Sequence, residues 1–109
     1  MATQDPRIRQ IKIKTGVVKR LGKEKGLYGK EVKEQEEKIE KMKAEQKDEY
    51  DIKKQIEVLN ESRRMIPDCT KRLRTAHNEL SQLLEKEQDL AETEEFIAAK
   101  EVLQVTTVE

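Results

Sequence analysis

Along the first forty residues the apolar side chains keep a single rhythm. Ile11, Val18, Leu21, Tyr28, Val32, Ile39 and Met42 recur at steps of three, four and seven. Lys14, Lys25 and Gln35 fill the same ladder, and no proline interrupts it. That rhythm collects these positions on one stripe of an α-helix. The chain has little else to bury: of 109 residues, 42% are charged and 34% hydrophobic, and the aromatics are Tyr28, Tyr50 and Phe96. Such a composition cannot build a thick core, and with this periodicity it selects long helices that each bury a stripe. Asp5-Pro6 is a good start, with aspartate accepting from free amides and proline giving up no needed donor. The first helix is expected from about residue 6 to 45, roughly 60 Å long.

A second helix is expected over about residues 51–86. Ile52, Ile56, Leu59 and Ile66 lead into Pro67, and Cys69, Leu73, Ala76, Leu80, Leu83 and Leu84 continue beyond it. A helix-interior proline removes a hydrogen bond and costs roughly 3 kcal/mol, so the spacing predicts a helix kinked at Pro67. The kink frees the Arg63 carbonyl and turns Arg63, Arg64 and Met65 outward. It serves either to bend the helix around its neighbours or to present those side chains to a partner, or both. Upstream, the polar run Ala44–Glu49 has no Gly or Pro, and Asp48 and Asp51 offer a capped restart.

Apolar residues lapse again around Glu85–Asp89. Phe96, Ala99, Val102 and Leu103 then define a third helix over about residues 91–105. Its acids Glu92, Glu94 and Glu95 fall where the helix dipole favours them. One continuous helix to residue 105 is the alternative. The fold expected is all-α: an elongated, antiparallel three-helix bundle, coiled-coil-like, forming a single domain over residues 1–109.

Net charge is zero, yet the signs are segregated. Residues 1–30 hold nine Lys/Arg against two acids, and residues 79–109 hold two basic residues (Lys86, Lys100) against nine acids. In an up-down-up bundle the third helix runs parallel to the first, so the acidic tail lies beside the basic start; otherwise the two are separately solvated faces. All four glycines lie in the first helix. Thr15, Gly22 and Gly29 share one row at seven-residue spacing, which either forms a shallow groove for another helix or softens an exposed face.

Catalytic readings find no support. His77 and Cys69 stand eight residues apart, roughly 80° apart in azimuth on a helix, which suits neither a nucleophile–base pair nor a metal site. His77 is expected beside the seam and Cys69 as a small buried filler. The carboxylates alternate with lysines as a solvated face, and no phosphate-binding glycine loop is present. Basic residues lack interleaved aromatics and Cys/His finger spacing, which argues against nucleic acid. The basic face lacks wedge residues for a membrane surface, and no apolar run approaches the roughly 20 residues of a membrane span. With one cysteine and no signal-peptide pattern, a cytosolic protein is expected. What is left is partner binding through long helix faces.

The runs RQIKIKTGVVKRL (Arg9 to Leu21), YDIKKQ (Tyr50 to Gln55) and ESRRMIPDC (Glu61 to Cys69), with Arg72-Leu73 following, resemble the tubulin-binding cofactor A family. The likeness spans about residues 6–105, and the runs stand in the family's order. Gly22, Gly26 and Gly29 depart from it, and the match is looser after Glu85. The resemblance implies a three-helix bundle, without nucleotide or metal, that captures β-tubulin folding intermediates released by the cytosolic chaperonin. It also implies hand-over toward the α/β heterodimer, with the other tubulin-folding cofactors as indirect partners, in the cytoplasm and at the cytoskeleton. The family pattern supplies no residue-level footprint. Exposure and chemistry favour Arg63, Arg64, Met65 and Asp68 at the kink, and Lys12, Lys19 and Lys23 as a basic face toward an acidic partner. A monomer is expected over a homodimer. The competing reading is a generic coiled-coil scaffold that dimerises through the first helix and binds no tubulin.

Overall fold

The computed structural model describes residues 5–108. Its elements are α1 (Pro6–Ala44), α2 (Glu49–Lys86), a 3₁₀ turn (Gln88–Leu90) and α3 (Glu94–Val105), and no strand occurs among the described residues. Asp5 caps α1 as its position predicts: Oδ1 accepts from the Arg7 amide at 2.9 Å, and its carbonyl accepts from the Ile8 amide at 2.9 Å. All ten positions of the α1 ladder are buried or half-buried, from Ile11 to Met42. α2 runs through Pro67 as one helix, and its stripe from Ile52 to Leu84 is likewise buried or half-buried.

The turn between α1 and α2 works without Gly or Pro. Gln46 adopts a left-handed conformation, φ 54°. The Lys47 amide donates to the Met42 carbonyl at 3.0 Å and the Gln46 amide to the Lys43 carbonyl at 3.1 Å. This is the paired closure that satisfies a helix's last carbonyls. Asp48 Oδ1 then accepts from the Tyr50 amide at 2.9 Å, so α2 begins at Glu49, earlier than the expected start near residue 51.

The second connection departs further from expectation. α3 begins at Glu94, not near residue 91, and the chain does not continue helically from α2 to residue 105. Thr93 is the reason. Its Oγ1 accepts from the Phe96 amide at 3.3 Å and donates to the Leu90 carbonyl at 2.7 Å, joining the 3₁₀ turn to the first turn of α3. Leu90 and Phe96 are both buried, so the break brings two large side chains to the core.

Two compact units result, and α1 and α2 each contribute a segment to both. Among the described residues the three-helix unit comprises 5–23 and 70–108. Its core unites Ile11, Val18 and Leu21 of α1, Leu73, Leu80 and Leu84 of α2, Leu90, and Phe96, Ala99 and Val102 of α3. α3 lies parallel to α1 here. Arg7 meets Glu87 and Asp89 before α3, and the end of the unit brings Gly22 against Thr106, whose Cγ2 is 3.0 Å from where a Gly22 Cβ would stand. Thr15 is buried at the same side, its Oγ1 donating to the Ile11 carbonyl at 2.6 Å.

The hairpin unit, Glu24–Cys69, has only the antiparallel α1 and α2. Ile39, Leu59 and Cys69 are its buried residues. The Gln35 side chain donates to Gln55 Oε1 at 2.6 Å and to the Gln55 carbonyl at 3.2 Å, a half-buried polar pair within the seam.

Candidate partner-binding faces

The four residues around Pro67, Arg63, Arg64, Met65 and Asp68, lie in the hairpin unit and the three lysines in the three-helix unit. Arg63, Arg64, Met65 and Asp68 are all exposed, Met65 to 40%. On a helix, successive residues point about 100° apart, so Arg63, Arg64 and Met65 fan around α2. Arg64 and Asp68, four apart, share one row. Arg64 Nη1 donates to Glu61 Oε2 at 3.4 Å on its own helix. Arg63 reaches across to α1, its Nη2 donating to Glu36 Oε1 at 3.2 Å. It is exposed but held, which the sequence reading of an outward-turned Arg63 did not foresee.

Lys12, Lys19 and Lys23 are exposed as expected. Lys12 and Lys19, seven apart, line a groove with Thr15 and Gly16 opposite Glu94, Glu95 and Ala98 of α3. The basic start therefore faces the protein's own acids as well as solvent. The segregation of charge seen in sequence becomes contact most clearly at Arg7. Its guanidinium donates to Glu87 Oε2 at 2.7 Å, to Asp89 Oδ2 at 2.9 Å and to Asp5 Oδ2 at 2.8 Å. The side-chain and amide hydrogen bonds from Arg7 hold the Asp5 carboxyl below the usual carboxylate range, and Asp5, then Glu87 and Asp89, raise the Arg7 guanidinium further. Reasoning from sequence missed this clasp. Its signal was an arginine two residues after an aspartate cap.

His77 sits half-buried beside the seam, its Nε2 3.0 Å from the Leu103 carbonyl, and Cys69 is a buried free thiol. Among the described residues, no cluster of three or more His, Cys, Asp and Glu side chains is arranged to hold a metal ion. No described helix is long and apolar enough to cross a membrane.

The class this geometry defines is a helical-bundle protein whose distinguishing chemistry lies on exposed, charge-patterned helix faces. Residues 6–103 match the family described as tubulin binding cofactor A. The chain is 64% identical over 105 residues to the tubulin-specific chaperone A of Gallus gallus, covering 96% of this chain and 97% of that one. The human tubulin chaperone cofactor A structure superposes with a TM-score of 0.81 at 62% identity, covering 91% of this chain and 96% of that one. The crystal structure of Arabidopsis thaliana tubulin folding cofactor A gives 0.83 at 42% identity, covering 91% and 94%. The chain belongs to the tubulin binding cofactor A family.

Proposed function

We propose that this protein is a tubulin-folding cofactor that captures β-tubulin folding intermediates leaving the cytosolic chaperonin and passes them toward the α/β heterodimer. The observation that carries the reading is the family match over residues 6–103. The protein acts without catalysis or cofactor, as a monomeric single domain in the cytoplasm and at the cytoskeleton, and other folding cofactors meet it only indirectly through the shared client. The contact residues proposed are Arg63, Arg64, Met65 and Asp68, with Lys12, Lys19 and Lys23 as a second, basic contact. What supports them is exposure at every one of these positions. Arginine and methionine are also enriched where proteins meet.

The test is retention of β-tubulin by immobilised protein. Wild type is expected to retain it. Arg63→Glu with Arg64→Glu is expected to weaken retention while leaving the helical circular dichroism intact. Full retention by that folded variant would remove the site, and no retention by wild type would leave the generic scaffold.

A further inference from the structure

Counted along α1 in steps of seven, the positions that meet α3 in the three-helix unit recur further on. Lys12 and Lys19, which face Glu94 and Glu95, are followed by Gly26, Lys33 and Glu40; Thr15 and Gly22 are followed by Gly29, Glu36 and Lys43. In the hairpin unit that side of the α1–α2 seam carries no third helix. It is instead an open groove of about 530 Å³. Ile39, Ile56 and Leu59 line it from the seam, and Glu36, Glu37 and Glu40 form its α1 rim between Lys33 and Lys43. Beyond the helix's own backbone and adjoining residues, no atom lies within 4 Å of where a Cβ on Gly26 or Gly29 would stand, so this stretch of α1 admits a close neighbour.

We infer that this groove receives an amphipathic helix of the tubulin client that carries basic residues beside its apolar row. The charges choose the occupant. In the three-helix unit a lysine rim meets an acidic helix turn, whereas here Glu37 and Glu40 stand in the middle of the rim beside Glu36, which Arg63 already engages. A second copy's α3 is a poor match, because it brings Glu94, Glu95 and Glu101 against one lysine, Lys100. An amphipathic helix laid in a groove also restores the three-helix packing by which the chain buries its own seam. The groove adjoins the contact proposed around Pro67, since Arg63 donates to Glu36 on its rim, and the inference rests on the tubulin reading above.

Three proteins decide it: wild type, Glu37→Lys with Glu40→Lys, and a control with the same change in net charge, Glu31→Lys with Glu34→Lys, whose positions do not line the groove. Each is titrated with β-tubulin and weighed in solution alone. The groove variant is expected to bind roughly tenfold or more weakly than both others, as for loss of complementary interface charge. Equal binding by the folded groove variant and the control overturns the inference and leaves the tubulin reading standing. Absence of binding by wild type overturns both. A wild-type dimer that Glu37→Lys with Glu40→Lys dissolves assigns the groove to a second copy and overturns it as well.

Discussion

The two units share α1 and α2 yet are held together differently. In the three-helix unit, side chains from three helices and the 3₁₀ turn close one core, with Ile11, Val18, Leu73, Leu80 and Ala99 wholly buried. In the hairpin unit the seam is one layer deep: Ile39, Leu59 and Cys69 are buried, whereas Val32, Ile52, Ile56 and Ile66 are half-exposed. A stripe on a helix saturates only when something covers both of its shoulders. The difference teaches that apolar spacing sets which residues turn inward, while the number of neighbours sets how much each contributes.

The sharpest way to break this comparison is truncation. Leu80→Ala is expected to cost about 2–5 kcal/mol, through lost burial and a residual cavity. Val32→Ala, half-exposed in the hairpin unit, is expected to cost about 1 kcal/mol. Urea unfolding measures both, and equal losses would erase the distinction. Next come the glycines. Gly26→Ala in the open part of α1 is expected to stabilise by about 0.5–1 kcal/mol. Gly22→Ala should gain less, because its new methyl meets Thr106, the residue that follows α3, at 3.0 Å. A larger gain at Gly22 would show that α3 does not press on α1 there.

A smaller pair contrasts the two turns. Gln46→Gly relieves a left-handed residue and is expected to stabilise by about 0.5–1 kcal/mol, whereas Thr93→Ala removes a cap and is expected to cost about 1 kcal/mol. Both are read from thermal midpoints. The smallest effect is electrostatic and confined to the three-helix unit. Because hydrogen bonds from Arg7 depress the Asp5 carboxyl, its contribution is complete above the unfolded carboxylate value of about 4 and is lost as pH falls through the lower, folded value. Arg7→Ala should therefore flatten the acid side of the stability profile. In wild type, high salt should raise amide exchange in α3 before α1 or α2, because exposed ion pairs are screened. Salt-independent protection of α3 would leave Arg7 without an anchoring role.

Much of this was legible beforehand. The ladder from Ile11 to Met42, the Asp5 cap, buried Cys69 and half-buried His77 follow from spacing and composition alone. So does the meeting of basic start and acidic tail. Other features depended on geometry that spacing does not carry. Gln46 holds a left-handed turn for which its side chain gives no special signal. Thr93 stops one helix and starts another without Gly or Pro, and an N-cap reading of threonine before Glu94-Glu95-Phe96 would have found it. Among the proposed contacts, exposure was legible at all seven positions. The Arg63–Glu36 bond was not, because it requires the register between two helices, and neither was the open groove, whose lining residues that same register brings together.

The amide pair Gln35–Gln55 has a consequence for how the hairpin can be redesigned. Two leucines there would strengthen an otherwise thin seam. They would also make its apolar positions interchangeable, letting α1 and α2 slide by a heptad or exchange partners with another molecule. By matching donor to acceptor at one level only, the two glutamines make any slipped alignment leave half-buried amides unmatched. The seam is thereby weaker than it could be and unambiguous about its alignment.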